Sequence, residues 1–348
     1  MKFRLGFLLL FIVAAGLCPA LSRGQARDAQ AYKWYEQGRQ DLNRQDYPKA
    51  IEAFSQTIRQ QTNFAEAYLY RGLARFEQRE YEQAIDDFTR ALDFKSSLNE
   101  AYRYRAKAYG ALGRLDRALE NYDQLLSRGP NDEDALRHRG SAYAQMNQWD
   151  RAIDDFTRAI ALNPKNAESY YNRAVARDRT GQRQQAVEDY SQALSLNPDD
   201  FNSYLNRGIA YGRLGQDEKA LGDYSKAIGL NPTRPDLFFQ RGLIHVRGGR
   251  YDSAIEDLSQ ALSLDPNSPQ AYNQRGAAYR KKGEKEKAIE DHNRAIELAA
   301  SSGEGYYFRG QAFFDQGQKE KARQDFQKAC ALGIAEGCRG VKLLEKQQ

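Results

Sequence analysis

Cysteine, proline and histidine are scarce in this chain. Three cysteines and nine prolines in 348 residues exclude a disulfide-dense scaffold and a collagen-like one. Neither sign of charge dominates. The 52 basic and 47 acidic side chains leave a formal charge of +5, too small to imply nucleic acid by itself. Apolar residues reach only 41%, below the ~45–50% usual in globular chains. That shortage raises the question of disorder, and the aromatics answer it. The chain holds 22 Tyr, 16 Phe and 2 Trp, more than a disordered segment carries. The length alone suggests two globular domains.

One apolar run stands out, from Leu5 to Leu17, preceded by Lys2 and Arg4 and broken at Pro19. It is short for a membrane span of ~20 residues and suits a signal-peptide core. Residues 1–20 are therefore expected to be an export signal, with cleavage after Ala20, Ser22 or Ala26. An uncleaved membrane anchor is the alternative. Leu17 before Cys18 and Pro19 after it argue against lipidation. Export, to the periplasm or the exterior, implies an oxidising compartment. Residues 21–30 are polar without an apolar period and are expected to form a linker.

The rest of the chain is periodic. Pro130, Pro164, Pro198, Pro232 and Pro266 are each 34 residues apart. Gly72, Gly140, Gly208, Gly242, Gly276 and Gly310 share one position of the same period, with Ala106 and Ala174 filling gaps. Ala50, Ala84, Ala118, Ala152, Ala186, Ala220, Ala254, Ala288 and Ala322 share another. Such self-similarity means stacked supersecondary units, each too small to bury its own face. Nine units tile residues 31–336: 31–64, 65–98, 99–132, 133–166, 167–200, 201–234, 235–268, 269–302 and 303–336. Positions below are counted 1–34 within a unit.

The unit from Ala167 to Asp200 reads AESYYNRAVARDRTGQRQQAVEDYSQALSLNPDD. It has an aromatic at position 4, a small residue at 8, Ala at 20, an aromatic at 24, Ala at 27 and Pro at 32. This pattern resembles the tetratricopeptide repeat, and Trp34 supplies the family's tryptophan in repeat one. The resemblance implies an all-α fold, a right-handed superhelix of antiparallel helix pairs with the first helices lining a concave groove. Each repeat should hold one helix over about positions 1–14 and a second over about 17–30. Gly113, Gly181, Gly215, Gly249, Gly283 and Gly317 at position 15 suit the left-handed turn between them. Asp41 at position 11 of repeat one, where other repeats often carry an aromatic, and Thr62, Ser96 and Ala300 at position 32, depart from the pattern. Residues 337–348 are expected to form a capping helix over the last repeat.

A helix turns ~100° per residue, so positions 4, 8 and 11 form one stripe and positions 2, 5, 6, 9, 12 and 13 the opposite one. The second stripe faces the groove in the family. Arginine occupies position 7 in eight repeats, from Arg71 to Arg309, on the packing side, where an unpaired charge is costly. Aspartate occupies position 23 in seven: Asp87, Asp155, Asp189, Asp223, Asp257, Asp291 and Asp325. These two positions are expected to pair, within or between repeats.

Two ladders mark the groove of repeats five to eight. Asn172, Asn206, Gln240 and Gln274 stand at position 6, and an amide both donates to and accepts from a peptide unit. Arg179, Arg213, Arg247 and Lys281 stand at position 13. Together they point to an extended protein or peptide partner that is partly acidic. A solvated polar face is the plainer reading. In repeats one to three, Tyr35, Leu69, Tyr70, Leu73, Phe76 and Tyr104 hold groove positions, either as a contact patch or as self-packing. The residues with which some relatives clamp a chaperone's carboxylate tail are not matched in any three consecutive repeats.

Catalytic chemistry is not legible. His138, His245 and His292 fall on different faces of different repeats, which disfavours a shared metal or catalytic site. No glycine-rich phosphate loop is present, and the tyrosines belong mostly to the packing stripe rather than to base stacking. No enzyme activity, metal, cofactor or nucleic-acid partner is expected, and a membrane only if residues 1–20 stay attached. Cys330 and Cys338 would be ~12 Å apart on one continuous helix, too far to bridge, although Gly333 and Gly337 permit a turn. Their spacing resembles that of cysteine-rich Sel1-like relatives, which implies a disulfide, with two free buried thiols as the alternative. The function expected is an exported, non-catalytic interaction scaffold. An envelope structural component acting through convex or end surfaces is the second expectation.

Overall fold

A computed structural model describes residues 23–345. The expected signal or anchor, residues 1–20, lies outside the described residues. Every regular element among them is a helix, and none is long and apolar enough to cross a membrane. The chain divides into two compact units, one reaching to Ala142 and the other starting at Tyr143.

The first unit holds α1 (Arg23–Asn43), α2 (Tyr47–Gln60), α3 (Ala65–Glu77), α4 (Tyr81–Phe94), α5 (Asn99–Ala111), α6 (Leu115–Arg128) and most of α7 (Glu133–Gln145). The second holds α8 (Trp149–Leu162), α9 (Ala167–Arg179), α10 (Arg183–Leu196), α11 (Phe201–Arg213), α12 (Asp217–Leu230) and α13 (Pro235–Arg247). It continues through α14 (Tyr251–Leu264), α15 (Pro269–Lys282), α16 (Lys285–Leu298), α17 (Gly303–Asp315), α18 (Lys319–Ala331) and α19 (Ala335–Glu345). From α1 to α6 and from α8 to α19 every helix packs on the next in sequence, giving a tandem array of helical hairpins.

The linker expected over residues 21–30 is not what residues 23–30 form. They belong to α1, which runs unbroken into repeat one. The segment RGQARDAQ carries no proline and is rich in Arg, Ala and Gln, all good helix formers, so the helix propagates backwards. At the other end the capping helix starts at Ala335, two residues before the expected boundary, because the turn closes at Gly333.

Position 15 takes the left-handed conformation in all nine repeats. Six of these residues are the glycines named above, at φ between +72° and +85°. The other three are Gln45, Arg79 and Asn147, at φ 61°, 64° and 59°. The second helix ends in an extended residue at position 31, as at Asn163 (φ −135°) and Asn197 (φ −133°). A following proline favours that conformation. Gln61 and Lys95 adopt it equally, at φ −135° and −145°, although Thr62 and Ser96 follow them.

The core repeats with the sequence. The alanine of position 20 is at most 1% exposed in every repeat. Position 24 brings a large side chain against the small residue of position 8. A Cβ added at Gly72 would stand 2.7 Å from the Phe88 ring, and one at Gly38 2.7 Å from Phe54. The small residue is what lets the two helices of a hairpin close on each other.

Candidate functional site

The arginine of position 7 is fully engaged in packing. Arg207 donates from Nε and Nη2 to the two carboxylate oxygens of Asp223, at 2.8 and 2.7 Å. Its Nη1 donates to Ser191 Oγ in the preceding repeat at 2.9 Å, and its guanidinium lies 5.7 Å from the Tyr204 ring centre. Arg71, Arg173, Arg241, Arg275 and Arg309 repeat this arrangement with Asp87, Asp189, Asp257, Asp291 and Asp325. The expected pairing of positions 7 and 23 is therefore made within each of these repeats. Burial raises the Asp291 carboxyl above its ordinary range, against the pull of Arg275. In repeat three Asn121 stands at position 23 and accepts from Arg105 Nε at 2.8 Å, and burial lowers the pKa of that guanidinium.

The second arm of each arginine reaches position 25 of the preceding repeat. Ser55, Thr89, Asp123, Thr157, Ser191, Ser225, Ser259 and Asn293 serve as acceptors at 2.7–3.1 Å. Sequence reasoning missed this column. Its signal was a short polar side chain at one fixed position of eight repeats. Repeat one lacks the arginine of position 7 and the aspartate of position 23, and there Gln37 donates to Asp41 at 3.0 Å. That contact explains the departure at position 11.

In the second unit the two groove ladders lie on the first helices of successive repeats. Arg179, Arg213, Gln240, Arg247 and Lys281 are exposed, while Asn172, Asn206 and Gln274 are half-buried. Arg213, Gln240 and Arg247 come together around a cleft of 460 Å³ between α11, α12 and α13, whose other walls include Ile209, Leu243 and Ile244. Two members of the cationic ladder are paired within the chain. Arg213 meets Asp178 at 2.9 Å, and Arg247 meets Asp217 at 2.5 Å and holds its carboxyl below the ordinary range. Both arginines keep about half of the side chain in solvent, at 53% and 55%. Asn206 donates to the Tyr171 hydroxyl at 3.0 Å.

The apolar groove residues of repeats one to three pack on one another. Tyr35 and Leu69 are buried, with Tyr35 4.8 Å from Phe64 and 6.0 Å from Tyr70 between ring centres. Phe76 meets Tyr104 edge-on at 5.6 Å, and Leu73 packs against the same cluster. Of the two readings, self-packing is the one realised.

The histidines are apart. His138 accompanies Asp134 at 3.1 Å and stacks on Tyr122. His245 accepts from Arg250 at 3.1 Å, and burial lowers its pKa. His292 is fully buried beneath Gly276 and bonded to Asn273, and burial pushes it down to about 3. Among the described residues no three His, Cys, Asp or Glu side chains stand together as metal ligands. Cys330 and Cys338 face each other across the turn at Gly333, with Cα atoms 4.7 Å apart, within the range a disulfide spans.

Tetratricopeptide repeat models match along the chain, at residues 35–99, 99–142, 140–181, 179–215, 201–234, 242–283, 269–301 and 303–333. Among solved structures, the C-terminal part of a TPR repeat-containing protein from Cytophaga hutchinsonii is similar at TM-score 0.59 and 19% identity, over 69% of this chain and 99% of that one. A tetratricopeptide repeat protein from Parabacteroides merdae is similar at TM-score 0.50 and 22% identity, over 71% and 98%. YrrB, described as a TPR protein with an unusual peptide-binding site, is similar at TM-score 0.50 and 21% identity, over 54% and 96%. At these identities the likeness is one of fold. No curated protein sequence matches the chain.

Proposed function

The chain belongs to the tetratricopeptide repeat family, and from that premise we propose that it is an exported, non-catalytic interaction scaffold that holds an extended, partly acidic peptide segment along repeats five to eight. One observation carries this reading. The two ladders meet at the cleft between α11 and α13, where amide, guanidinium and aliphatic groups line a single recess. An extended chain offers peptide groups to Gln240 and side chains to Ile209 and Leu243. Its carboxylates compete for Arg213 and Arg247, whose present partners are exposed ion pairs, worth only ~0–1 kcal/mol each. Arg179, Lys281, Asn172, Asn206 and Gln274 extend the same two rows. YrrB, with its own peptide-binding site, supports peptide capture as a use of this fold. Export rests on Lys2, Arg4 and the apolar run behind them, and the facing cysteines suit an oxidising compartment.

The test is in-host crosslinking with mass spectrometry, comparing the natural chain with a variant carrying Arg213→Ala and Gln240→Ala. Both side chains are exposed, so the circular-dichroism melt should not move. Partner crosslinks to α11 and α13 should fall about tenfold, the equivalent of ~1.4 kcal/mol, and should weaken with salt. Crosslinks of undiminished yield in the variant would overturn the groove assignment.

A further inference from the structure

Position 24 carries Phe, Tyr or Leu in every repeat but the eighth, where it is His292. The imidazole takes the place of a core ring. It is fully buried, a Cβ at Gly276 would stand 2.6 Å from its Cε1, and it stacks on Phe308 with ring centres 5.7 Å apart. Nδ1 lies 3.3 Å from the amide oxygen of Asn273, itself buried. Nε2 is shut off from solvent and has no partner. This arrangement suits a neutral ring with its one proton on Nδ1, donated to Asn273.

The charged ring has no such place. His138 and His245 each have a carboxylate nearby, Asp134 at 3.1 Å and Asp257 at 3.7 Å. The charged groups that act on His292 are both cations, Arg280 of α15 and Arg309 of α17. The aspartates of the surrounding helices are held by guanidiniums: Asp291 by Arg275 at 2.7 Å, Asp315 by Arg280 at 2.9 Å and Asp325 by Arg309 at 2.8 Å. A second proton on the ring would put an N–H at Nε2 with nothing to accept it, and a charge among cations in the core, which is costly. The ring can become charged only where it reaches water.

We infer that His292 makes repeat eight the acid-labile joint of the second unit, so that as the pH falls below neutrality α15 and α16 open ahead of the other hairpins and the far end of the groove is lost with them. Stacked repeats open in local cooperative units, and α15 carries Gln274 and Lys281, the last members of both ladders. That consequence for a partner rests on the groove reading above; the joint itself does not. The sign follows from linkage. Burial holds the ring down to about 3, against 6.5 when it is free. Its contribution to stability is therefore complete above 6.5 and is lost progressively as the pH falls from there towards 3.

Native-state amide hydrogen exchange on the full chain at pH 7 and pH 5, corrected for the intrinsic effect of pH on exchange, tests the joint. Protection in α15 and α16 should fall about 20-fold between the two values, with a much smaller change in α9–α12. Asn273→Leu with His292→Phe installs the pair that repeat two carries as Leu69 and Phe88, which keeps the core filled, and should abolish the fall. His245→Gln should leave the fall in place. In the natural chain, an NMR titration should find the His292 ring still neutral at pH 5 in the closed form. Equal protection in α15 and α16 at both pH values, a fall that survives in the double variant, or a ring that becomes charged near 6.5 without faster exchange would each overturn the inference. No partner is needed for these measurements, whereas the crosslinks of α11 and α13 report on the groove, so either reading can fail alone.

Discussion

At the scale of the residue, two glycines show how narrowly each position is specified. Gly72 and Gly208 hold the same position 8 in different surroundings. A methyl at Gly72 meets the Phe88 ring at 2.7 Å, whereas at Gly208 its nearest neighbours, Asp223 Cβ and the Tyr224 ring, are 3.4 and 3.5 Å away. Gly208→Ala should therefore be neutral or raise stability by up to ~1 kcal/mol, the helix-propensity gain of alanine over glycine. Gly72→Ala should cost about 1–3 kcal/mol through overpacking. Thermal melts of the two variants check this, and a Gly72→Ala melt at or above the natural one would refute it. Periodicity made the small residue legible at this position. The difference between the two sites was not legible, because it depends on a few tenths of an ångström in ring placement.

At the scale of the element, the arginine of position 7 is the joint between hairpins. Arg207 closes its own repeat through Asp223 at position 23 and reaches back to Ser191 at position 25 of the one before. Removing Asp223 leaves Arg207 half-buried without its carboxylate, so Asp223→Ala should cost ~3–5 kcal/mol. Asp223→Asn should cost less, since Asn121 already serves Arg105 in that role. Ser191→Ala removes one hydrogen bond and should cost about 1 kcal/mol. Urea titrations of the three variants should rank them in that order, and an Asp223→Ala variant as stable as Ser191→Ala would refute the ranking. Helix limits, the paired columns 7 and 23 and the turn at position 15 could all be read from the period. The ion pairs of the basic ladder could not. Asp178 and Asp217, which hold Arg213 and Arg247, stand at positions where the other repeats carry unlike residues, so no column announced them. Gln45 and Arg79 take the left-handed turn through their place in the period and not through their identity, whereas Asn147 is a residue that tolerates it.

At the scale of the whole molecule, each unit is a stack whose members are held by their neighbours. Repeat nine has a neighbour on one side only, and α19 supplies the other. Cys330 and Cys338 are placed to lock that contact, and the intact protein should be two hydrogens lighter by mass spectrometry before reduction than after. Cys338→Ser should then speed amide hydrogen exchange in α18 and α19 while leaving α9–α12 unchanged. An unreduced mass with both thiols free would refute the lock. The number of repeats and the existence of a cap were legible from the period and its departures.

The backward-reaching arginine has one more consequence, for how such a chain changes length over generations. Repeats two and five to eight each bring a guanidinium and its own carboxylate, and each presents a short polar acceptor to the repeat that follows. Excising residues 201–234 would set Ser191 opposite Arg241, the same kind of acceptor that Ser225 offers now. Duplication or loss of such a repeat in a block of 34 residues therefore strands no buried charge, while loss of a single helix parts a guanidinium from its carboxylate. The gene can lengthen or shorten its product by whole hairpins, and the array's chemistry rejects the frames in between.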